Sequence, residues 1–197
     1  MGQEKRHDKK NIEGRTWAQD RKYAKGSHEI YGKYAPDYDS IINESGFSLP
    51  RQVPMLCMKD LPEHLRQNME SCVVLDVGAG TGFHKEFKRI FRKYFEHKLV
   101  SCASMPIANN TYDIVTSAGA IYNTDVPFEC INNFFRVVKP GGFVVFSGAY
   151  CPEEKAEGKN FDEIKQIIHK WQDQGKCETI SEVKDSWYKN LPGIVIA

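Results

Sequence analysis

Residues 73–82 read V-V-L-D-V-G-A-G-T-G, and no other stretch of the chain has residue types and spacing so suited to holding a ligand. Asp76 closes a short aliphatic run, and Gly78, Gly80 and Gly82 follow at alternate positions with Ala79 and Thr81 between them. A carboxylate at the end of a strand places a charged acceptor where open α/β sheets bind their ligands. Glycines let the backbone take positive φ and approach a ligand closely. A helix starting just beyond would aim its free N–H groups at the same place. The chemistry on offer is the backbone cradling of a nucleotide-like molecule. The dinucleotide spacing G-x-G-x-x-G is not met, because Phe83 stands where the third glycine belongs. No lysine follows as in a P-loop. A nicotinamide dehydrogenase also needs an acidic residue about twenty positions further on, after a strand, and the chain has none there.

Several elements must position this loop. Ahead of it, Val53, Leu56, Cys57, Leu61, Leu65 and Met69 recur at helical spacing between Leu49 and Glu70, interrupted by Pro50, Pro54 and Pro62. This predicts a helix leading into the first strand, with His64 on the surface. Behind the loop, Phe83, Phe87, Ile90, Phe91, Tyr94 and Phe95 form one face of an amphipathic helix. Lys85, Lys88, Arg89, Arg92 and Lys93 lie on the other face, away from the rings, and read as a solvated face rather than a nucleic-acid surface. His84, in the first turn, is a cap or surface residue unless it faces the ligand. Lys98 to Cys102 reads as a short strand, and Ile114 to Ser117 as a buried parallel strand whose carboxyl end is Ala118-Gly119-Ala120.

A further helix is expected after a Thr124 or Asp125 cap, with Pro127 in its first turn. Cys130, Ile131, Phe134, Phe135 and Val138 would be its buried side. Pro140 should stop it, the two glycines after Pro140 should turn the chain, and Phe143 to Ser147 should be a strand. Asn160 and Glu163 have capping-box spacing ahead of Phe161, Ile164, Ile167, Ile168 and Trp171, with Gly175 ending that helix. Cys177 to Val183 and Gly193 to Ile196 read as an antiparallel edge pair. The expected fold is α/β.

Composition narrows the function. The 197 residues suffice for one core-forming domain. Residues 1–29 are polar and read as a partly disordered segment, leaving 30–197 as the domain. A net charge of +1 gives no general attraction to nucleic acid or an anionic membrane. There is no apolar run of membrane length and no secretory h-region, and Arg6 stands where a myristoylation signal wants Ser or Thr. Six cysteines without a C-x-x-C pair indicate neither a zinc site nor a disulfide framework. A cytoplasmic protein with reduced thiols and no metal is the expectation.

The run Leu75 to Gly82 resembles motif I of class I S-adenosylmethionine-dependent methyltransferases. Met105-Pro106-Ile107 and Asn110-Thr111-Tyr112-Asp113 resemble that family's approach to its fourth strand. Arg136 to Gly142 resembles its R-x-L-K-P-G-G turn before the fifth. Tyr34 to Asp39 resembles an N-terminal Y-x-x-x-Y-D segment that covers the cofactor in many small-molecule methyltransferases, although Tyr31, Tyr34 and Tyr38 packing on a sheet edge would give the same pattern. Order and wording look most like the Williams–Beuren-region methyltransferase-like proteins. The resemblance implies a Rossmann-like sheet and S-adenosyl-L-methionine as cofactor. It places the cofactor at Asp76, Gly78, Ala79, Gly80, Thr81, Gly82, Ala118 and Gly119, and it makes Tyr34, Tyr38 and Tyr122 candidates for the substrate pocket. A small-molecule acceptor is implied, and no histidine or carboxylate has the context of a general base.

The chain departs from the family between the glycine loop and the fourth strand. A single βαβ unit takes about 30 residues, and Phe83 to Tyr112 is all that is available. The second strand and its following helix are expected to be missing. With them goes the acidic residue that holds the cofactor's ribose, since Glu86 and Glu96 do not follow a strand. At the end of the third strand Ser101 and Cys102 replace the adenine-side acid. The alternative is therefore a methyltransferase-fold protein without catalysis, acting by binding a partner.

Overall fold

The structure is a computed structural model that describes residues 32–40, 49–80, 105–121, 128–149, 157–188 and 191–196. The chain divides into two units, Met1–Ser45 and Gly46–Ala197. In the first, residues 32–34 and 38–40 are helical around a turn at 35–37 that contains Pro36. The Asp37 N–H closes the turn on the Tyr34 carbonyl at 3.0 Å.

The second unit opens with α1 (Leu49–Asp60), α2 (Glu63–Gln67) and a single 3-10 turn (Met69–Ser71). Pro50 sits in the first turn of α1, where its missing N–H costs nothing, and Pro62 precedes α2. Val53, Leu56, Cys57, Leu61 and Leu65 are all buried, as their spacing requires. Arg66 closes the end of α1 by donating to the Lys59 and Leu61 carbonyls at 3.0 and 3.1 Å.

β1 (Val74–Asp76), β2 (Tyr112–Ile121) and β3 (Val138–Ala149) are parallel, with β2 between the other two. Pairing runs Val74↔Ile114, Leu75↔Val115 and Asp76↔Thr116, then Ile114↔Phe143 through Ser117↔Phe146. Strand alternation gives the sheet two faces. One carries Asp76, Ile114, Thr116 and Val145; the other carries Leu75, Val115, Ser117 and Phe146. The connection from β2 to β3 contains a 3-10 turn (Phe128–Cys130) and α3 (Ile131–Val137). Phe134 of α3 meets Phe146 edge-on, with ring centroids 6.2 Å apart, so α3 covers the second face. α4 (Glu157–Asp173) packs on α3 through Phe135 stacked on Trp171 and an indole N–H donated to Asn132 Oδ1 at 2.9 Å. β4 (Glu182–Tyr188) and β5 (Leu191–Ile196) complete a sheet ordered β1-β2-β3-β5-β4, with β5 antiparallel to both neighbours.

Several features differ from those the sequence predicts. β1 is half-buried rather than fully buried, and Val73 just ahead of it is 46% exposed; among the described strands it pairs with β2 alone. β3 begins at Val138, before Pro140, and bulges across the proline and its two glycines, where five residues oppose two of β2. α4 starts at Glu157, so Asn160 lies within the helix rather than capping it; its hydrogen bonds extend a turn further back, with only Gly158 to weaken them. β4 starts at Glu182 rather than Cys177. Its register counts back from Tyr188↔Leu191, and the pairing ends where Ile196 of β5 stands opposite Glu182, so residues 177–181 lie beyond the paired stretch of β5. Gly175 does end α4, at φ +63°, with its N–H on the Gln172 carbonyl.

Residues 1–29, the 83–95 helix, the 98–102 strand, the Thr124 or Asp125 cap and Pro127 lie outside the described residues.

Candidate ligand site

The glycine loop leaves β1 at the carboxyl end of the parallel strands, and β2 determines its shape. Asp76 accepts a hydrogen bond from Thr116 Oγ1 at 2.8 Å, and the Val77 N–H continues the ladder onto the Thr116 carbonyl at 2.8 Å. Gly78 takes φ +77°, and a Cβ there would overlap the Ala120 methyl. Gly80 takes φ +58°, and among the described residues a Cβ on it would meet only the Gly78 carbonyl, 3.9 Å away. Gly78 is thus glycine for room and conformation together, and Gly80 takes a conformation that favours glycine.

β2 itself breaks register beyond Ser117, and Gly119 turns to φ +69° there. The Gly119 N–H is taken up by Ser147 Oγ of β3 at 2.7 Å. Asp76, Gly78, Ala79, Gly80, Ala118 and Gly119 therefore share the carboxyl edge of two adjacent strands. Thr81, Gly82 and Tyr122 lie outside the described residues. Tyr34 and Tyr38 belong to the first unit, where Tyr34 is buried and carries the Lys33 ammonium 5.7 Å from its ring centroid. An open glycine backbone beside an anchored carboxylate fits the methionine end of the implied cofactor.

Sequence reasoning missed Thr116 and Ser147, which fix the carboxylate and the bulge. Both look like ordinary members of aliphatic strand runs. Only cross-strand register identifies their partners.

The remaining motif residues work at the opposite edge of the sheet. Asp113 accepts from Lys139 Nζ at 2.8 and 2.9 Å and from the Val73 N–H at 2.8 Å, which ties the starts of all three parallel strands together. Burial pushes its carboxyl up, but the hydrogen bonds from Lys139 and Val73 and the ammonium's charge outweigh that and hold it below its ordinary value. Arg136 donates to Asn133 Oδ1, the Ile107 carbonyl, Asn109 Oδ1 and the Met105 carbonyl between 2.7 and 3.3 Å. It pins the 105–110 loop to the end of α3. Gly142 has no room for a side chain, since a Cβ would come within 2.7 Å of the Asp113 carbonyl. His64 is exposed as expected, with its Nε2 2.9 Å from the Gly141 carbonyl.

The described residues hold no cluster of ligating side chains able to bind a metal ion. Cys57 is buried and its thiol is pushed up to about 12. Burial also raises Cys72 and Cys177, so none of these thiols is primed as a nucleophile.

A protein family described as "Methyltransferase domain" matches residues 84–146. The matched span begins after Gly82, so it is independent of the glycine loop. One chain of a Haloferax volcanii complex containing the Trm112 methyltransferase activator is similar in fold, at TM-score 0.51 and 13% identity over 81% of this chain and 92% of that one. A SAM-dependent methyltransferase from Aquifex aeolicus gives 0.41 and 16%, over 75% and 97%. Comparison with curated proteins gives no match. The fold is that of a class I methyltransferase. A methyltransferase domain implies S-adenosylmethionine as cofactor, and the strand order around the loop is the Rossmann-like arrangement of three parallel strands that such a domain uses. Among the described residues, no helix of this methyltransferase fold is long and apolar enough to cross a membrane.

Proposed function

We propose that the chain is an S-adenosylmethionine-dependent methyltransferase of a small-molecule acceptor, within the Williams–Beuren-region methyltransferase-like group and acting in the cytoplasm. The observation that carries this is the carboxyl edge of β1 and β2, where Asp76 is anchored by Thr116 and the loop bends through two positive-φ glycines. Asp76 and the backbone of residues 78–82 would hold the methionine end of the cofactor, with Ala118 and Gly119 walling the pocket on the β2 side. Tyr34, Tyr38 and Tyr122 remain the candidates for contact with the acceptor. The bound cofactor supplies a methyl group on a sulfonium, ready for in-line transfer. The chain's own part is to orient the two reactants and exclude water.

A second reading is a shortened methyltransferase-fold protein that acts by binding a protein partner. Two observations favour it. Only Phe83 to Thr111 connects the loop to β2, few residues for two strands and two helices, and the sequence offers no acidic residue after a strand there to hold the ribose. The Haloferax volcanii chain of similar fold comes from a complex with a methyltransferase activator.

Isothermal titration of the intact chain with S-adenosylmethionine and S-adenosylhomocysteine separates the two readings. Micromolar binding supports the enzyme; absence of heat at millimolar ligand rejects it in favour of the partner-binding reading.

A further inference from the structure

We propose that Thr116 is a positioning residue, whose hydroxyl orients the Asp76 carboxylate to receive the ammonium group at the amino-acid end of the cofactor; this rests on the cofactor reading above. Thr116 is the register partner of Asp76 on the adjacent parallel strand, and both side chains project from the same face of the sheet. The neighbours of Thr116 on that face, Ile114 in its own strand and Val145 across it, are fully buried aliphatic residues. A valine would serve the packing equally well in shape. The hydroxyl instead donates to Asp76 Oδ1 at 2.8 Å. A carboxylate oxygen accepts more than one hydrogen bond, so this bond sets the plane of the group without exhausting its capacity. Charge-assisted pairing of an ammonium with a carboxylate depends on that orientation.

The same strand fixes the other half of the site. Four residues beyond Thr116, Ala120 fills the space where a Cβ on Gly78 would project. One strand thus carries both the partner of the carboxylate and the stop for the loop. Thr116 acts only through Asp76 and does not itself meet the ligand.

The test is titration of the intact chain and its Thr116→Val, Thr116→Ser and Asp76→Asn variants with two ligands. One is S-adenosylhomocysteine, and the other is methylthioadenosine, which lacks the amino-acid end. Losing a hydrogen bond to a charged group should weaken S-adenosylhomocysteine binding by Thr116→Val about tenfold. Methylthioadenosine affinity should stay unchanged, and Thr116→Ser should restore the loss. In the Asp76→Asn background Thr116→Val should add nothing. Equal weakening for both ligands, or no weakening for either, overturns the positioning role while the cofactor reading stands. If Thr116→Val does not melt cooperatively, the Thr116→Ser and Asp76→Asn comparison decides: a serine that binds S-adenosylhomocysteine as poorly as the asparagine overturns the proposal. A parent chain that takes neither ligand at millimolar concentration overturns the cofactor reading and the proposal with it.

Discussion

Gly78 and Ala120 meet where the glycine loop crosses the carboxyl end of β2, and the Ala120 methyl occupies the volume a side chain at position 78 would need. The loop is held against the strand by the absence of one carbon atom. Substitution at the two described glycines should therefore differ in cost. Among the described residues Gly80→Ala meets no overlap and should lose about 1 kcal/mol, the left-handed backbone penalty. Gly78→Ala adds an overlap with a packed strand and should lose about 3 kcal/mol or more. Urea denaturation of both variants measures the order; equal losses would mean that the contact with Ala120 is readily relieved.

Asp113 makes stability depend on pH. Its folded pKa is depressed, so its contribution is fully present above the unfolded carboxylate value of about 4 and is lost as pH falls through the folded value. Asp113→Asn should be less stable than the parent at neutral pH, and the two should converge as the pH is lowered below that range. Denaturant midpoints between pH 7 and pH 3 give the comparison. Part of the effect should screen with salt, because the Lys139 side chain is 40% exposed.

Arg136 holds the 105–110 loop through a fork of donors that a lysine cannot reproduce. Arg136→Lys should cost about 2 kcal/mol by leaving carbonyls of that loop without donors. Amide hydrogen exchange should accelerate at Asn110 and Thr111, whose N–H groups bond the Arg136 and Val137 carbonyls.

Phe134 is completely buried between α3 and the sheet, edge-on to Phe146. Truncation to alanine should cost about 3–5 kcal/mol through lost burial and an unfilled cavity. Phe135→Ala, on the same helix but only partly buried, should cost less. Thermal melts of the pair make the comparison.

Cys57 should be silent toward thiol reagents. Its thiol stays protonated through the whole neutral range, with a value of about 12, and the side chain is buried beneath α1. Pulsed maleimide labelling with mass spectrometry should find Cys57 modified only at denaturant concentrations that unfold the chain, after Cys72 and Cys177. Labelling of Cys57 in the native chain at neutral pH would contradict its placement in the core.

Much of the scaffold was legible because it depends on local periodicity. The apolar spacing from Val53 to Leu65 gave the buried faces of α1 and α2, and Gly175 marked the end of α4. The misplaced boundaries share a cause. Where β3 and β4 start, and how far back α4 reaches, depends on pairing partners distant in sequence, and a capping signal such as Asn160 and Glu163 cannot overrule a helix that finds another turn of hydrogen bonds. The motifs were recognisable while their roles were not: Arg136, Lys139 and Asp113 read as family marks, and the structure shows them as fasteners at the edge of the sheet away from the glycine loop.

By itself the sequence determined the strand-loop unit around Asp76 and its need for glycine, because positive φ is a property of single residues. It also set which faces of the helices are apolar. Tertiary structure alone decided that Thr116 anchors Asp76, that Ala120 stops Gly78 and that Ser147 receives the Gly119 N–H. Each of those contacts joins residues 28 to 42 positions apart in the chain, and only the register of parallel strands brings them within reach.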